Sequence, residues 1–160
     1  MRNIVLARVD DRLIHGEVVS VWTPSLSANR IIVADDGVAA DKFNSRVIKL
    51  LAPAGVKVNV YNVKEASEKL KKDPIAGEKI IVLAKTPITF ERMSELGVEL
   101  KSINLGGMGI RDERKPFIKN VACDQTEIEA IQNMLAKSIH VYYQLVPEQQ
   151  IIDAAGYINK

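Results

Sequence analysis

Short apolar runs alternate with amphipathic stretches along this chain. Six runs are rich in Val, Ile and Leu and predict β-strands: Asn3–Arg8, Arg30–Ala34, Val56–Val63, Lys79–Ala84, Ser102–Leu105 and Ile139–Val146. A helix-like stretch follows each of these runs except the last two. The order therefore predicts alternating β and α elements.

Apolar residues recur at helical spacing in three of the stretches between the runs. They are Phe43, Val47, Leu50 and Leu51; Phe90, Met93 and Leu96; and Ile128, Ile131 and Leu135. Local signals agree with helices here, since Asp41 can cap the first, Thr86 and Pro87 can open the second, and Gly97 can end it. Pro147 predicts the start of a last helix. We expect these amphipathic helices to cover a sheet.

The strand Ile80–Leu83 is continuously apolar, which predicts burial on both faces of the sheet. With helical crossovers, such strands are typical of an open, mainly parallel β-sheet with helices on both faces. We therefore predict a single α/β domain over residues 1–160. Ligands of such sheets bind beyond the carboxyl ends of the strands, so we expect functional residues within Arg8–His15, Ala34–Asp36, Ala84–Pro87 and Leu105–Arg111.

Composition narrows the class of protein. The 160 residues are 47% hydrophobic and 26% charged, as in an ordinary globular domain. The net charge of +2 comes without a block of like charge, and aromatic residues make up only 5%, so nucleic acid is not expected as a partner.

Neither a membrane span nor an export signal is expected from the sequence. The longest uncharged run, Val18–Asn29, is too short for a membrane helix and contains Pro24. The apolar stretch Ile4–Ala7 is too short for the core of a signal peptide. Cys123 is the single cysteine, and we expect it to be a small buried residue. These features predict a cytoplasmic protein.

A dense group of charges, Arg8 to Glu17, follows the first strand and precedes a helix-like stretch. A histidine at a helix start is kept neutral by the backbone dipole, and neutral imidazole can attack phosphorus. His15 has that position, Arg12 could hold two phosphoryl oxygens, and either Asp10 or Asp11 could orient the ring. The residues alone leave open a plainer interpretation, in which His15 is a surface or capping histidine and Arg12 a solvated ion-pair partner.

Other loops offer weaker candidates. Gly106–Gly109 could cradle phosphate with its N–H groups or form a plain turn, and the chain has neither a Walker loop nor a dinucleotide fingerprint. Asp35 and Asp36 could bind Mg²⁺, although a turn and a helix cap explain them more simply. Lys85 could contact phosphate or a partner, or be solvated. His140 is expected to be structural. We predict no cofactor and no metal site.

The segment from Arg8 to Glu17 resembles the N-terminal signature of the IIB components of mannose-family sugar phosphotransferase systems. That signature has the pattern R-x-D-x-R-L-x-H-G-Q, and here Glu17 stands where glutamine is usual. Further matching residues extend the resemblance over nearly the whole chain: Trp22, Val33 to Asp36, Asp41, Ala84 to Pro87 and Asn104 to Met108.

The resemblance implies that His15 receives a phosphoryl group from a phosphorylated IIA component and passes it to a sugar entering through membrane IIC and IID components. It thus predicts a phosphotransferase in the cytoplasm, peripherally associated with a membrane permease. We expect Arg8, Asp10, Asp11, Arg12, Gly106 and Gly107 to bind or orient the phosphoryl group. We expect an exposed apolar patch around Trp22 and Leu26, which is a candidate contact for the IIA or IIC partner. The alternative function is a non-catalytic regulatory or metabolite-binding module that uses Asp35, Asp36 and Gly106–Gly109 to hold a small metabolite.

Overall fold

The computed structural model describes residues 1–16 and 18–158. Glu17, where the sequence departs from the signature, lies outside the described residues. The described strands are β1 Ile4–Asp10, β2 Arg30–Ala34, β3 Lys57–Tyr61, β4 Ile80–Ala84, β5 Ser102–Gly107, β6 Lys115–Ile118, β7 Val121–Cys123, β8 His140–Tyr143 and β9 Ile152–Asp153.

Seven of these strands form one sheet in the order β3-β2-β4-β1-β5-β8-β9. All its neighbouring strands run parallel except β9, which pairs antiparallel with β8. The predicted open, mainly parallel sheet is confirmed. Strand β1 lies inside the sheet between β4 and β5. The loop that follows β1 therefore starts near the middle of the row of carboxyl strand ends.

Helices cover both faces of the sheet, as predicted. The described helices are a π-helix Val18–Trp22, α1 Thr23–Ser25, α2 Asp36–Ala40, α3 Lys42–Leu50, α4 Val63–Leu70, α5 Pro87–Glu95, α6 Gln125–Ala136 and a 3₁₀ turn Ala154–Tyr157. Helices α4, α5 and α6 contribute to the hydrophobic core on one face. The π-helix, α2 and α3 contribute to the core on the other. Within residues 1–16 and 18–158, no helix is both long enough and apolar enough to cross a bilayer.

Two of the predicted helix starts and one predicted end are confirmed. Asp41 caps α3 by accepting from the Asn44 N–H, and Thr86 caps α5. Gly97 follows α5 with a left-handed φ of 97°, which glycine adopts readily. The helix predicted at Pro147 is wrong. The Gln144 side chain donates to the Pro147 and Gln149 carbonyls and holds this segment in a loop instead.

The predicted packing of α3 is also wrong, although the helix exists. Phe43 and Leu50 are 76% and 78% exposed, and Val47 and Leu51 are exposed as well. Of the helix's apolar residues, Ile48 is the one that is buried in the core. Periodicity identifies residues that share a helix face, but it does not tell which face packs on the sheet.

The antiparallel hairpin of β6 and β7 was not predicted. Its turn contains Lys119 with a left-handed φ of 49°, so the usual glycine signal for a tight turn is missing. The hairpin follows the Gly106–Arg114 segment and contacts β5. Its last strand leads into α6 through Asp124, whose carboxylate caps that helix.

Candidate functional site

The site begins with a tight turn at the end of β1. The Leu13 N–H donates to the Asp10 carbonyl at 3.0 Å, and Leu13 has a left-handed φ of 57°. This backbone conformation is costly for a leucine, and burial of its side chain, which is 3% exposed, holds it in place. The turn folds the chain back, so that His15 faces the strand end it has just left.

His15 is hydrogen-bonded to a buried carboxylate. Its Nε2 atom lies 2.9 Å from Asp10 Oδ2, and the side chains are 12% and 0% exposed. An ionised carboxylate only accepts hydrogen bonds, so the Nε2 atom carries the proton and Nδ1 keeps its lone pair. The site therefore presents one defined ring nitrogen as a nucleophile.

Several donors keep Asp10 ionised. Burial opposes the charged carboxylate, but hydrogen bonds from His15 and the Arg12 N–H, together with the charge of Arg8, outweigh it. The pKa of Asp10 consequently lies below its ordinary value. The Arg12 Nε–H also donates to Oδ1 at 3.3 Å.

Arg8 lies beneath Asp10 and is fully buried. Its guanidinium donates to Asp10 Oδ2 at 3.3 Å, to Asn104 Oδ1 at 2.6 Å and to the Gln144 carbonyl at 3.1 Å. It also lies 5.2 Å from the centre of the Trp22 ring, a cation–π arrangement. These contacts suit Arg8 to orienting Asp10 rather than to holding a ligand at the surface.

Gly106 and Gly107 make room for these two charged side chains. A Cβ atom at Gly106 would lie 2.2 Å from the Arg8 guanidinium carbon, and one at Gly107 would lie 3.3 Å from the Asp10 carboxylate oxygens. The Gly109 N–H donates to Asp11 at 2.7 Å. In this structure the glycine segment therefore packs against the charged core of the site.

Asp11 belongs to a second ionic group beside the first. Arg114 donates to both Asp11 oxygens at 3.0 Å and to Glu127 at 2.8 and 2.7 Å. Burial disfavours charge on Arg114, but these carboxylates outweigh burial and raise its pKa. Thr86 also donates to Glu127. Asp11 thus joins the β1 loop to the segment after β5 and to α6, whereas Asp10 orients His15.

Arg12 is the most exposed member of the site. Its side chain is 54% exposed, and its Nε atom contacts Asp10. Within the described part of the chain, its two terminal nitrogens have no hydrogen-bond partner. They are available to bind an anion that approaches His15.

The structure separates several other candidates from the site. Asp35 caps α2, and Asp36 accepts from the Val63 N–H and pairs with Arg92, so the predicted turn and cap are confirmed. His140 pairs with Asp153 at the start of β8. This pair lies at the amino ends of the strands, whereas His15 lies at the carboxyl ends. Lys85 borders a surface groove near Arg111.

Trp22 and Cys123 are both buried. The prediction of an exposed patch at Trp22 and Leu26 is wrong, because Trp22 is 3% exposed and donates to the Leu145 carbonyl, while Leu26 packs against the core. Cys123 is the small buried residue expected, and burial raises the pKa of its thiol to about 12.

Sequence reasoning missed four residues that shape the site: Asn104, Gln144, Arg114 and Glu127. Asn104 lies in a segment that carried the family resemblance, and a polar residue inside a buried strand was the available signal. Arg114 and Glu127 lie in separate elements, and no pattern of spacing connects them. Gln144 contributes to Arg8 through its backbone carbonyl, which residue type does not reveal.

Comparisons with known proteins point to one family. Residues 4–160 match the family model described as PTS system sorbose subfamily IIB component. The PTS system mannose-specific EIIAB component of Escherichia coli (strain K12) is 36% identical over 160 residues, covering 98% of this chain and 50% of the relative. This chain therefore spans half the length of that relative. The fructose-specific EIIB component of Bacillus subtilis (strain 168) is 31% identical, covering 92% of this chain and 90% of the relative.

A solved structure agrees with these sequence matches. The IIBSor domain of the sorbose permease from Klebsiella pneumoniae superposes with a TM-score of 0.91 and is 31% identical, covering 98% of this chain and 96% of that one. The fold and these matches thus define an α/β protein of the phosphotransferase-system type. The chain belongs to the sorbose subfamily of PTS IIB components.

Proposed function

We propose that this chain is a phosphoryl carrier in sugar uptake, with His15 as the residue that is phosphorylated. The observation that carries the proposal is the 2.9 Å contact between His15 Nε2 and the buried Asp10 carboxylate. It fixes the tautomer in which Nδ1 is the nucleophile. The names of the family and of its sugar-specific relatives support this activity.

In the first step, the Nδ1 lone pair of His15 attacks the phosphorus of a phosphohistidine on the IIA component. The new N–P bond forms as the donor's N–P bond breaks, and the donor nitrogen keeps the bonding pair. The phosphorylated ring still carries its Nε2 proton and a positive charge, which Asp10 stabilises. In the second step, a sugar hydroxyl attacks the phosphorus and gives its proton to solvent, while the Nδ1–P bond breaks and its bonding pair returns to the neutral ring.

Arg12 is suited to bind the phosphoryl oxygens. Its terminal nitrogens can donate two parallel hydrogen bonds, a geometry that matches a phosphoryl group. Arg8 acts through Asp10, and Gly106 and Gly107 leave the space that this arrangement needs.

The partners follow from the same proposal. Phosphorylated IIA supplies the phosphoryl group, and the membrane components IIC and IID present the sugar. The carrier would then work in the cytoplasm at the membrane face. The relatives are named for mannose, fructose and sorbose, so the proposed acceptor is a sugar of this class.

Phosphoryl acceptance by the wild-type chain tests the proposal directly. The protein is mixed with IIA that carries a radiolabelled phosphohistidine, and the transferred label is counted. We expect up to one phosphoryl group per chain, labile in acid and stable in alkali. A chain that stays unlabelled while the donor remains competent with another IIB component would favour the non-catalytic binding module.

The position of the label tests the role of Asp10. Long-range proton–nitrogen NMR spectra of the labelled chain distinguish phosphorylation at Nδ1 from phosphorylation at Nε2. We expect Nδ1 of His15. A label at Nε2, or on another residue, contradicts the mechanism derived from the Asp10 contact.

A further inference from the structure

An unusual surface lies on α3. Its apolar row consists of Phe43, Val47, Leu50 and Leu51, of which Phe43 and Leu50 are more than three-quarters exposed. Because residues three, four and seven positions apart share a helix face, the row forms one continuous stripe. Large apolar side chains exposed together are unusual in a monomer and mark an interaction surface.

Three cations accompany the apolar row. Lys42, Arg46 and Lys49 have the same helical spacing as the row and lie on the adjoining side of α3. Among the described residues none of them forms an ion pair, and α3 contains no acidic residue. The three cations border a surface groove of about 350 Å³ between α3 and β3, together with Ser45 and Val60.

We propose that this face of α3 docks on an anionic phospholipid surface. A helix lying in the plane of a membrane buries an apolar stripe at the boundary of the acyl chains and keeps its cations at the headgroups. Long Lys and Arg side chains reach the headgroups from beside the stripe. The apolar row and the three cations provide both parts on one helix.

The charge and shape of this face favour an anionic lipid surface as the occupant. Lys42, Arg46 and Lys49 border the groove, α3 carries no acidic residue, and Phe43 and Leu50 stand out from the helix with more than three-quarters of their surface exposed. Exposed apolar side chains enter a lipid surface directly and need no pocket shaped to receive them. Helix α4 offers a contrast within the chain, since its lysines alternate with Glu65 and Glu68 and it exposes no large apolar residue.

This docking does not rest on the proposed phosphoryl transfer, so its test uses protein-free vesicles. The wild-type chain is sedimented with vesicles of phosphatidylcholine alone and with vesicles containing 30 mol% phosphatidylglycerol. We expect binding to the anionic vesicles that weakens as NaCl is raised. Equal sedimentation with both kinds of vesicle, or none with either, overturns the proposal.

Variants of α3 test each part of the surface. Replacing Lys42, Arg46 and Lys49 with Gln should weaken binding about a hundredfold, at about fivefold for each cation. Phe43→Ser with Leu50→Ser should weaken it at least about tenfold through the loss of apolar burial. Circular dichroism and urea unfolding check that these variants fold.

Matched controls replace similar residues elsewhere. Ile75→Ser removes an exposed apolar residue outside α3, and Lys64→Gln with Lys72→Gln removes two exposed cations. Both controls should bind vesicles as the wild type does. If they weaken binding as much as the α3 variants, the attraction is not local to α3 and the proposal fails. A dimer in sedimentation velocity that dissociates with Phe43→Ser would instead assign the face to a second copy of the chain.

Discussion

Two histidine–aspartate pairs lie at opposite strand ends of the same sheet, one at the carboxyl ends and one at the amino ends. His15 and Asp10 meet at 2.9 Å where β1 ends, and His140 and Asp153 meet at 2.5 Å where β8 begins. The pairs differ in burial, since Asp10 is fully buried and Asp153 is 65% exposed. The contact itself therefore does not define a reactive site.

The difference lies in what else each carboxylate binds. Asp10 also accepts from Arg12 and Arg8, and a buried asparagine and a backbone carbonyl hold Arg8 in turn. At the amino ends of the strands, His140 stacks on Tyr142, and solvent reaches both His140 and Asp153. A fixed, water-poor surrounding strengthens the electrostatic effect of Asp10 on its ring, while solvent screens that of Asp153.

The largest difference between the pairs should appear when each histidine is removed. His15→Ala should abolish phosphoryl acceptance from phosphorylated IIA, because the nucleophile is lost. His140→Ala should accept as the wild type does. Labelling by a radioactive donor measures both. If the His15→Ala chain is labelled stoichiometrically, the assignment of the nucleophile is wrong.

Replacing the two aspartates should sharpen the comparison. Asp10→Asn should slow phosphoryl transfer by about a hundredfold or more, because an amide neither fixes the tautomer nor stabilises the charged ring. It also leaves Arg8 buried without its carboxylate, at a cost of about 3–5 kcal/mol in the free energy of unfolding.

Asp153→Asn is the matched control. It should change the free energy of unfolding by less than about 0.5 kcal/mol, as exposed substitutions usually do. Urea unfolding and rapid mixing with phosphorylated IIA measure stability and transfer for both variants. Equal effects of the two substitutions would show that burial of Asp10 does not distinguish the site.

Arg12→Lys should slow phosphoryl transfer, but less than Asp10→Asn does. A lysine keeps the charge but cannot donate two parallel hydrogen bonds to a phosphoryl group, so we expect transfer to slow by about tenfold or more. Arg92→Lys, an exposed arginine that pairs with Asp36, serves as the control and should transfer at the wild-type rate. An unchanged rate for Arg12→Lys in stopped-flow mixing would exclude the two-point contact.

The smallest predicted effect is on the free energy of unfolding at acid pH. Because the pKa of Asp10 is lower in the folded chain than the unfolded value of about 3.9, Asp10 contributes stability above that value. The contribution is lost as the pH falls through the folded pKa. We expect the free energy of unfolding to decline below about pH 4 and to decline less steeply in Asp10→Asn. Identical acid slopes in urea unfolding would contradict the lowered pKa.

Local patterns predicted the order of the elements and the parallel sheet. The strand at Arg30–Ala34 has the predicted bounds, and Asp41 and Thr86 cap helices as expected. These features depend on neighbouring residues, which the sequence lists side by side. The exposure of Phe43 could not be predicted from these local patterns, because it depends on which side of α3 packs on the sheet.

The candidate site also contains features that the local sequence could predict and features that depend on distant residues. The sequence indicated that either Asp10 or Asp11 could orient the ring; in the structure Asp10 contacts His15, and Asp11 contacts Arg114. The partner of Asp11 could not be predicted, since Arg114 comes 103 residues later in the chain. Nor could the role of Gly106, because the space it leaves is filled by Arg8 from another strand.

The position of β1 inside the sheet has a consequence for the timescale of motion at His15. Neighbouring strands pair with β1 on both sides, so its amide hydrogens should exchange with solvent only through openings that disrupt the whole sheet. The Leu13 N–H, which donates to the Asp10 carbonyl, ties the loop that holds His15 to the end of that strand, and the Leu13 side chain is buried. The proposed phosphorylation of His15 would therefore take place on a support that opens rarely, whereas we expect the edge strands β3 and β9 to open far more often.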